Sequence, residues 1–286
     1  MAPTLPPTLA KDVLLARIDS NYGEIASDTD NDLDARLFGR DKPGVLRMMA
    51  TYVNVLVKIP VYIFLVFALA ACYFVVTGVQ FWGTAYLTTV LHAPQAKANL
   101  LFIITSATGP TTGVFFGGWL IDQNGGYKGF KNRNKTMRTC AYLGGLSCLF
   151  GFPSTVVTNV YLFAVLLWLM LFFGGAVLPG CTGVAVSVVP RQLRPVSLSV
   201  SLIVFNLFGY SLSLILSGAM MQVFNDTLPD CDYACSLKIG FRLIVFWGLW
   251  SLLLLIAAIV SSHRSRLHSK RGSLKQSIHN LKNLEV

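Results

Sequence analysis

The chain has 286 residues, of which 54% are hydrophobic and only 13% charged, with a formal net charge of +10. That composition, at a mean hydropathy of +0.60, excludes an ordinary water-soluble domain, which carries about 25% charged residues. It points to an all-α membrane protein, because a helix of roughly 20 apolar residues crosses a hydrocarbon core of about 30 Å with its backbone satisfied internally.

Residues 1–57 are a different material. They contain eight acidic side chains and no apolar core of their own. Their start lacks the cationic-then-apolar layout of a signal peptide, so a largely disordered cytosolic lead-in is expected. Asp28, Asp30, Asp32 and Asp34 alternate as in a calcium loop, but Leu33 stands where that loop needs glycine and Gly39 where it needs glutamate; no metal is expected. At its end, "VLRMMATYVNVLVKIP" mixes apolar residues with Arg47 and Lys58 at helical spacing and is expected to lie along the membrane surface.

Residues 58–262 contain six apolar runs, about Ile59–Trp82, Ala98–Ile121, Thr139–Phe152, Val160–Val186, Val196–Val223 and Gly240–Ser262. Pro153-Ser154 and Asn159 separate the third from the fourth. Arg242 sits at the start of the sixth, from where it can snorkel to the interface. Residues 263–286 form a basic cytosolic tail. Six spans put both termini on one side, and of the 23 Lys and Arg only Lys97, Lys238 and Arg242 fall near the other. The positive-inside rule makes the basic side cytosolic. Topology thus accounts for the net charge, so the lipid bilayer is an expected partner and nucleic acid is not.

Cys72, Cys140, Cys148 and Cys181 lie in the apolar runs as small hydrophobes. Cys231 and Cys235 share the exoplasmic loop "NDTLPDCDYACSLK", where a short bridge and two free thiols both remain open. Intramembrane proteolysis needs a serine with a histidine, paired aspartates, or a zinc-binding His-Glu-x-x-His helix. His92, His263, His268 and His279 all fall outside the runs, and Asp122, at the end of the second, is the one carboxylate associated with them. No enzymatic role and no cofactor are expected.

The runs do contain small and polar residues. "TSATGPTTGVFFGGWLID" spaces Gly109, Gly113 and Gly117 four apart, which lines them up for close approach by another helix, while Thr108, Thr111 and Thr112 supply side-chain hydrogen bonds. Gln80 lies in the first run, Pro179 breaks the fourth, and Asn206 and Tyr210 stand one turn apart in the fifth. Amides inside a membrane face protein or a cavity; interhelical glue and ligand contact both fit them.

"GWLIDQNGGYKG" resembles the cytosolic loop motif of the major facilitator superfamily of transporters, in Gly118, Asp122, Gly125 and Lys128. Gly126 and Tyr127 stand where that motif usually has arginine or lysine, and Lys128 is displaced by one, as in the degenerate copy of the C-terminal half. "VTGVQFWGTAYL" and "VVPRQLRPVSLSVSLIVFNLFGYSLS" are similar to the spinster-like branch. The resemblance implies a six-helix bundle like the C-terminal half of that fold. It further implies a secondary transporter of an organic, amphipathic or lipid-like solute in an endolysosomal or plasma membrane, working by alternating access between two bundles. One bundle is supplied here, so a second six-helix half or a homodimer is the implied partner. Gln80, Trp82 and Pro179 would lie beside the pathway, with Asn206 and Tyr210 near it. Asp122 would act as a cytosolic latch with Gly118, Gly125, Lys128, Arg191 and Arg194, where Gly118 and Gly125 let backbones approach and turn. The alternatives are, for Asp122, a plain helix-ending aspartate and, for the chain, a non-transporting membrane binding or assembly protein or an incomplete transporter fragment.

Overall fold

The computed structural model describes residues 45–127, 129–227 and 232–264, and every regular element among them is helical. In chain order these are α1 (Val45–Val57), α2 (Pro60–Val90), α3 (Gln95–Gln123), α4 (Gly129–Ser154), α5 (Val160–Ser187), α6 (Arg191–Asn225) and α7 (Tyr233–Arg264). Five of them, α2, α3, α5, α6 and α7, are long and apolar enough to cross a membrane. The expected lead-in up to residue 44, and the tail from residue 265, lie outside the described residues.

Local chemistry sets the helix ends. Pro60 opens α2, where a missing N–H costs nothing. Asn159 caps α5, its Oδ1 accepting from the N–H groups of Tyr161 (3.0 Å) and Leu162 (3.3 Å). Inside α6 the backbone widens to a π-helix over Phe205–Ser211, and α2 ends in another over Tyr86–Val90.

Two expectations need correction here. α4, expected from Thr139, begins at Gly129, so Lys131, Arg133, Lys135 and Arg138 are helical rather than part of a loop. Lysine and arginine are good helix formers, and charge ends an apolar run without ending a helix. α7 begins at Tyr233, so Arg242 lies within it, donating through Nε to the Thr155 carbonyl at 3.5 Å. α1 packs on α2 and the start of α6, with Tyr52, Val55 and Leu56 buried.

Side-chain contacts fix the helix directions. Tyr62 meets Ser197, Phe74 meets Ser213 and Trp82 meets Ser217, so α2 and α6 run parallel. α7 crosses α2 the other way, with Ser251 on Ala68 and Trp247 stacked on Phe74. α4 is antiparallel to α5, because Cys140 reaches Val177 while Ser147 reaches Met170. α3 is parallel to α5, with Gly113 beside Phe172 and Gly117 beside Ala176. α6 thus runs with α2 and α7 against it, while α3 runs with α5 and α4 against them. α2 is the hub: 61% of its apolar window is buried, against 22% for α3 and 17% for α6.

Candidate functional site

The glycine face of α3 rests directly on the backbone of α5. A Cβ on Gly113 would run into the Phe172 carbonyl, and one on Gly117 into that of Ala176. From the other side, a Cβ on Gly175 would come within 2.6 Å of the Pro110 carbonyl oxygen. The spacing of four thus does what small residues do in membrane helices, bringing two backbones together. The threonines behave differently from expectation. Thr108 accepts from Trp168 Nε1 of α5 at 2.8 Å, but Thr111 and Thr112 are exposed and donate back to the carbonyls of Ala107 and Thr108 on their own helix.

This seam leads down to the turn that contains Asp122. Gly125 donates its N–H to the Asp122 carbonyl (3.1 Å) and Gly126 to that of Ile121 (3.0 Å). Gly125 has φ +95° and Gly126 φ +65°, a left-handed bend that glycine takes without a Cβ penalty. α4 clamps the turn from the far side: Asn132 Nδ2 donates to the Gly125 carbonyl and Thr136 Oγ1 to that of Gly126, each at 3.0 Å. Gly125 therefore sits at the bend of the turn.

Asp122 itself is exposed at the C-terminal end of α3, not buried, and it makes no ion pair among the described residues. A negative charge there opposes the helix dipole, so the fold leaves a carboxylate that a cation or a helix N-terminus would stabilise. Gly118 does not mediate close approach, for a Cβ there would meet nothing within 4 Å; that part belongs to Gly117, one position earlier. Lys128 lies outside the described residues. Arg191 is exposed in a 3₁₀ turn, and Arg194 is half-buried with its Nε lacking a hydrogen-bond partner among the described residues.

Tyr127 is the residue that sequence reasoning passed over as a mismatch. Its hydroxyl donates to the Pro179 carbonyl on α5 at 3.0 Å. Its ring fills the space that a side chain at Gly183 would take. Burial raises the pKa of the phenol, and the nearby Asp122 carboxylate pushes the same way, so the hydroxyl stays a donor. The available signal was Gly183, a second glycine near Pro179 with no seam of its own to serve.

The five residues expected along a pathway do not gather in one cavity. Gln80 is exposed on α2 without a hydrogen bond among the described residues. Trp82 is half-buried and donates through Nε1 to Ser217 Oγ at 2.9 Å, tying α2 to α6. Pro179 accepts Tyr127 as described. Asn206 and Tyr210 are exposed on the π segment, Asn206 donating to the Leu202 carbonyl (2.8 Å) and Tyr210 lying against the Tyr73 ring (5.3 Å). The π segment forms where α6 presses on α2: a Cβ on Gly209 would lie 2.8 Å from that of Tyr73. Cys235 is disulfide-bonded, whereas Cys231 lies outside the described residues.

A scan against protein-family models finds no match, and no curated protein matches the sequence.

Proposed function

We propose that the chain is one six-span half of a secondary transporter, moving an organic, amphipathic solute by alternating access. α4 is the sixth crossing in this reading. α3 and α5 run parallel, so the segment between them has to return across the same thickness, and α4 lies antiparallel along α5. The observation that carries the reading is the pair of exposed amides, Gln80 well inside α2 and Asn206 inside α6. An amide facing hydrocarbon costs several kcal/mol by order of magnitude. A water-filled pathway or a second bundle would remove that cost. The partner is a second six-helix half or another copy of the chain, and Asp122 provides the latch toward it.

Flux of amphipathic solutes into proteoliposomes containing the chain, alone and with a candidate second half, tests this reading. Asp122→Asn keeps the side-chain shape and removes the charge. The expected outcome is normal insertion with flux lowered at least tenfold; unchanged flux at equal abundance rejects the latch.

A second reading is a non-transporting assembly subunit. It is favoured by the large apolar side chains exposed on α3 and α6, among them Phe115 at 75% and Ile215 at 68%. Stable association with a membrane partner and no solute flux in either preparation would select it.

A further inference from the structure

An apolar chamber of about 90 Å³, open in part to its surroundings, lies within the bundle, walled by α2, α4, α5 and α7, with Pro110 of α3 at its edge. It contains none of the residues assigned to the pathway or the latch. Three glycines open it. A Cβ on Gly144 would come no nearer than 3.7 Å to Leu252, one on Gly248 no nearer than 3.7 Å to Cys148, and one on Gly174 no nearer than 3.4 Å to Ser147 Oγ. Space for a methyl group therefore exists at each position and is left empty.

The polar atoms in its wall are largely committed elsewhere. Ser251 donates to the Ala68 carbonyl (2.8 Å) and lies 3.0 Å from the Cys72 thiol. Ser147 donates to the Met170 carbonyl (2.8 Å), and Cys140 to that of Val177 (3.8 Å). A buried water needs two to four polar partners, and a chamber that cannot supply them stays dry and accepts apolar guests. A dry cavity of about 150 Å³ binds benzene or xenon, so this smaller one is limited to guests of xenon or cyclopropane size. We propose that the centre of the bundle is a binding site for small, uncharged, apolar molecules, separate from the solute pathway.

Xenon is the direct probe. Crystals of the full chain under xenon pressure are expected to show one anomalous peak between Gly144, Gly174 and Gly248. The double variant Gly144→Ala/Gly248→Ala should reduce its occupancy at least fivefold. Gly145→Ala, whose methyl would meet nothing within 4 Å and which does not line the chamber, should leave it unchanged. In solution, cyclopropane should raise the thermal unfolding midpoint saturably in the parent and not in the double variant. If the double variant fails to fold, Gly174→Ala replaces it. No xenon in the chamber, ordered water in its place, or equal occupancy in the alanine variants overturns the proposal.

Discussion

Among the described residues two pairs of parallel helices pack directly together, and they hold by opposite means. α3 and α5 meet backbone to backbone, through Gly109, Gly113 and Gly117 on one side and Gly175 on the other, with one cross-helix side-chain bond among the described residues, from Trp168 to Thr108. α2 and α6 are tied by side chains: Tyr62 donates to the Ser197 carbonyl (2.7 Å), Ser213 to that of Phe74 (2.7 Å) and Trp82 to Ser217, while Tyr73 packs on Phe205 and Tyr210. Lipid gives helices no hydrophobic reason to associate, so either close packing or hydrogen bonding has to supply the attraction. In the glycine pair the facing atoms at Gly113 and Gly117 are backbone, which has less room to give than a side-chain end. The hydroxyl pair tolerates a π segment in its middle.

The comparison predicts unequal sensitivity. Gly113→Val should be the most damaging change, because its side chain meets a carbonyl and not a flexible chain end; a loss of about 3 kcal/mol, the upper end of overpacking costs, is expected in thermal or denaturant unfolding. A loss below about 1 kcal/mol would mean that the seam can open and would break the contrast. Ser213→Ala removes one bond from the other pair and should cost about 0.6–2 kcal/mol by the same measurement. Gly118→Ala, one residue beyond the seam, should change stability by less than about 0.5 kcal/mol. A large loss there would place the seam on a different face of α3.

Much of this was legible in the sequence. Hydropathy located five helices long and apolar enough to cross a membrane, and Asn159 marked the start of α5 through the side-chain oxygen that caps it. The spacing of Gly109, Gly113 and Gly117 was a periodicity signal, and it identified the packing face. What escaped depends on groups distant in sequence. The extension of α4 back to Gly129 was hidden because hydropathy registers bilayer depth and not helix length. The exchange of roles between Gly117 and Gly118 needs the register of α5. The contact of Tyr127 with Pro179 joins residues 52 positions apart, and the π segment over Phe205–Ser211 sits where Gly209 meets Tyr73 of α2, a contact that leaves no local periodicity to read.

The parallel course of α3 and α5 has a consequence for synthesis. Gly113 emerges from the ribosome about 60 residues before Phe172, its seat on α5, which at 5–20 residues per second is roughly 3–12 s. Throughout that interval the most closely fitted surface in the molecule has nothing to fit against. A nascent chain stalled just after α4 would present that glycine face bare, and any other helix with small residues at the same spacing could occupy it first.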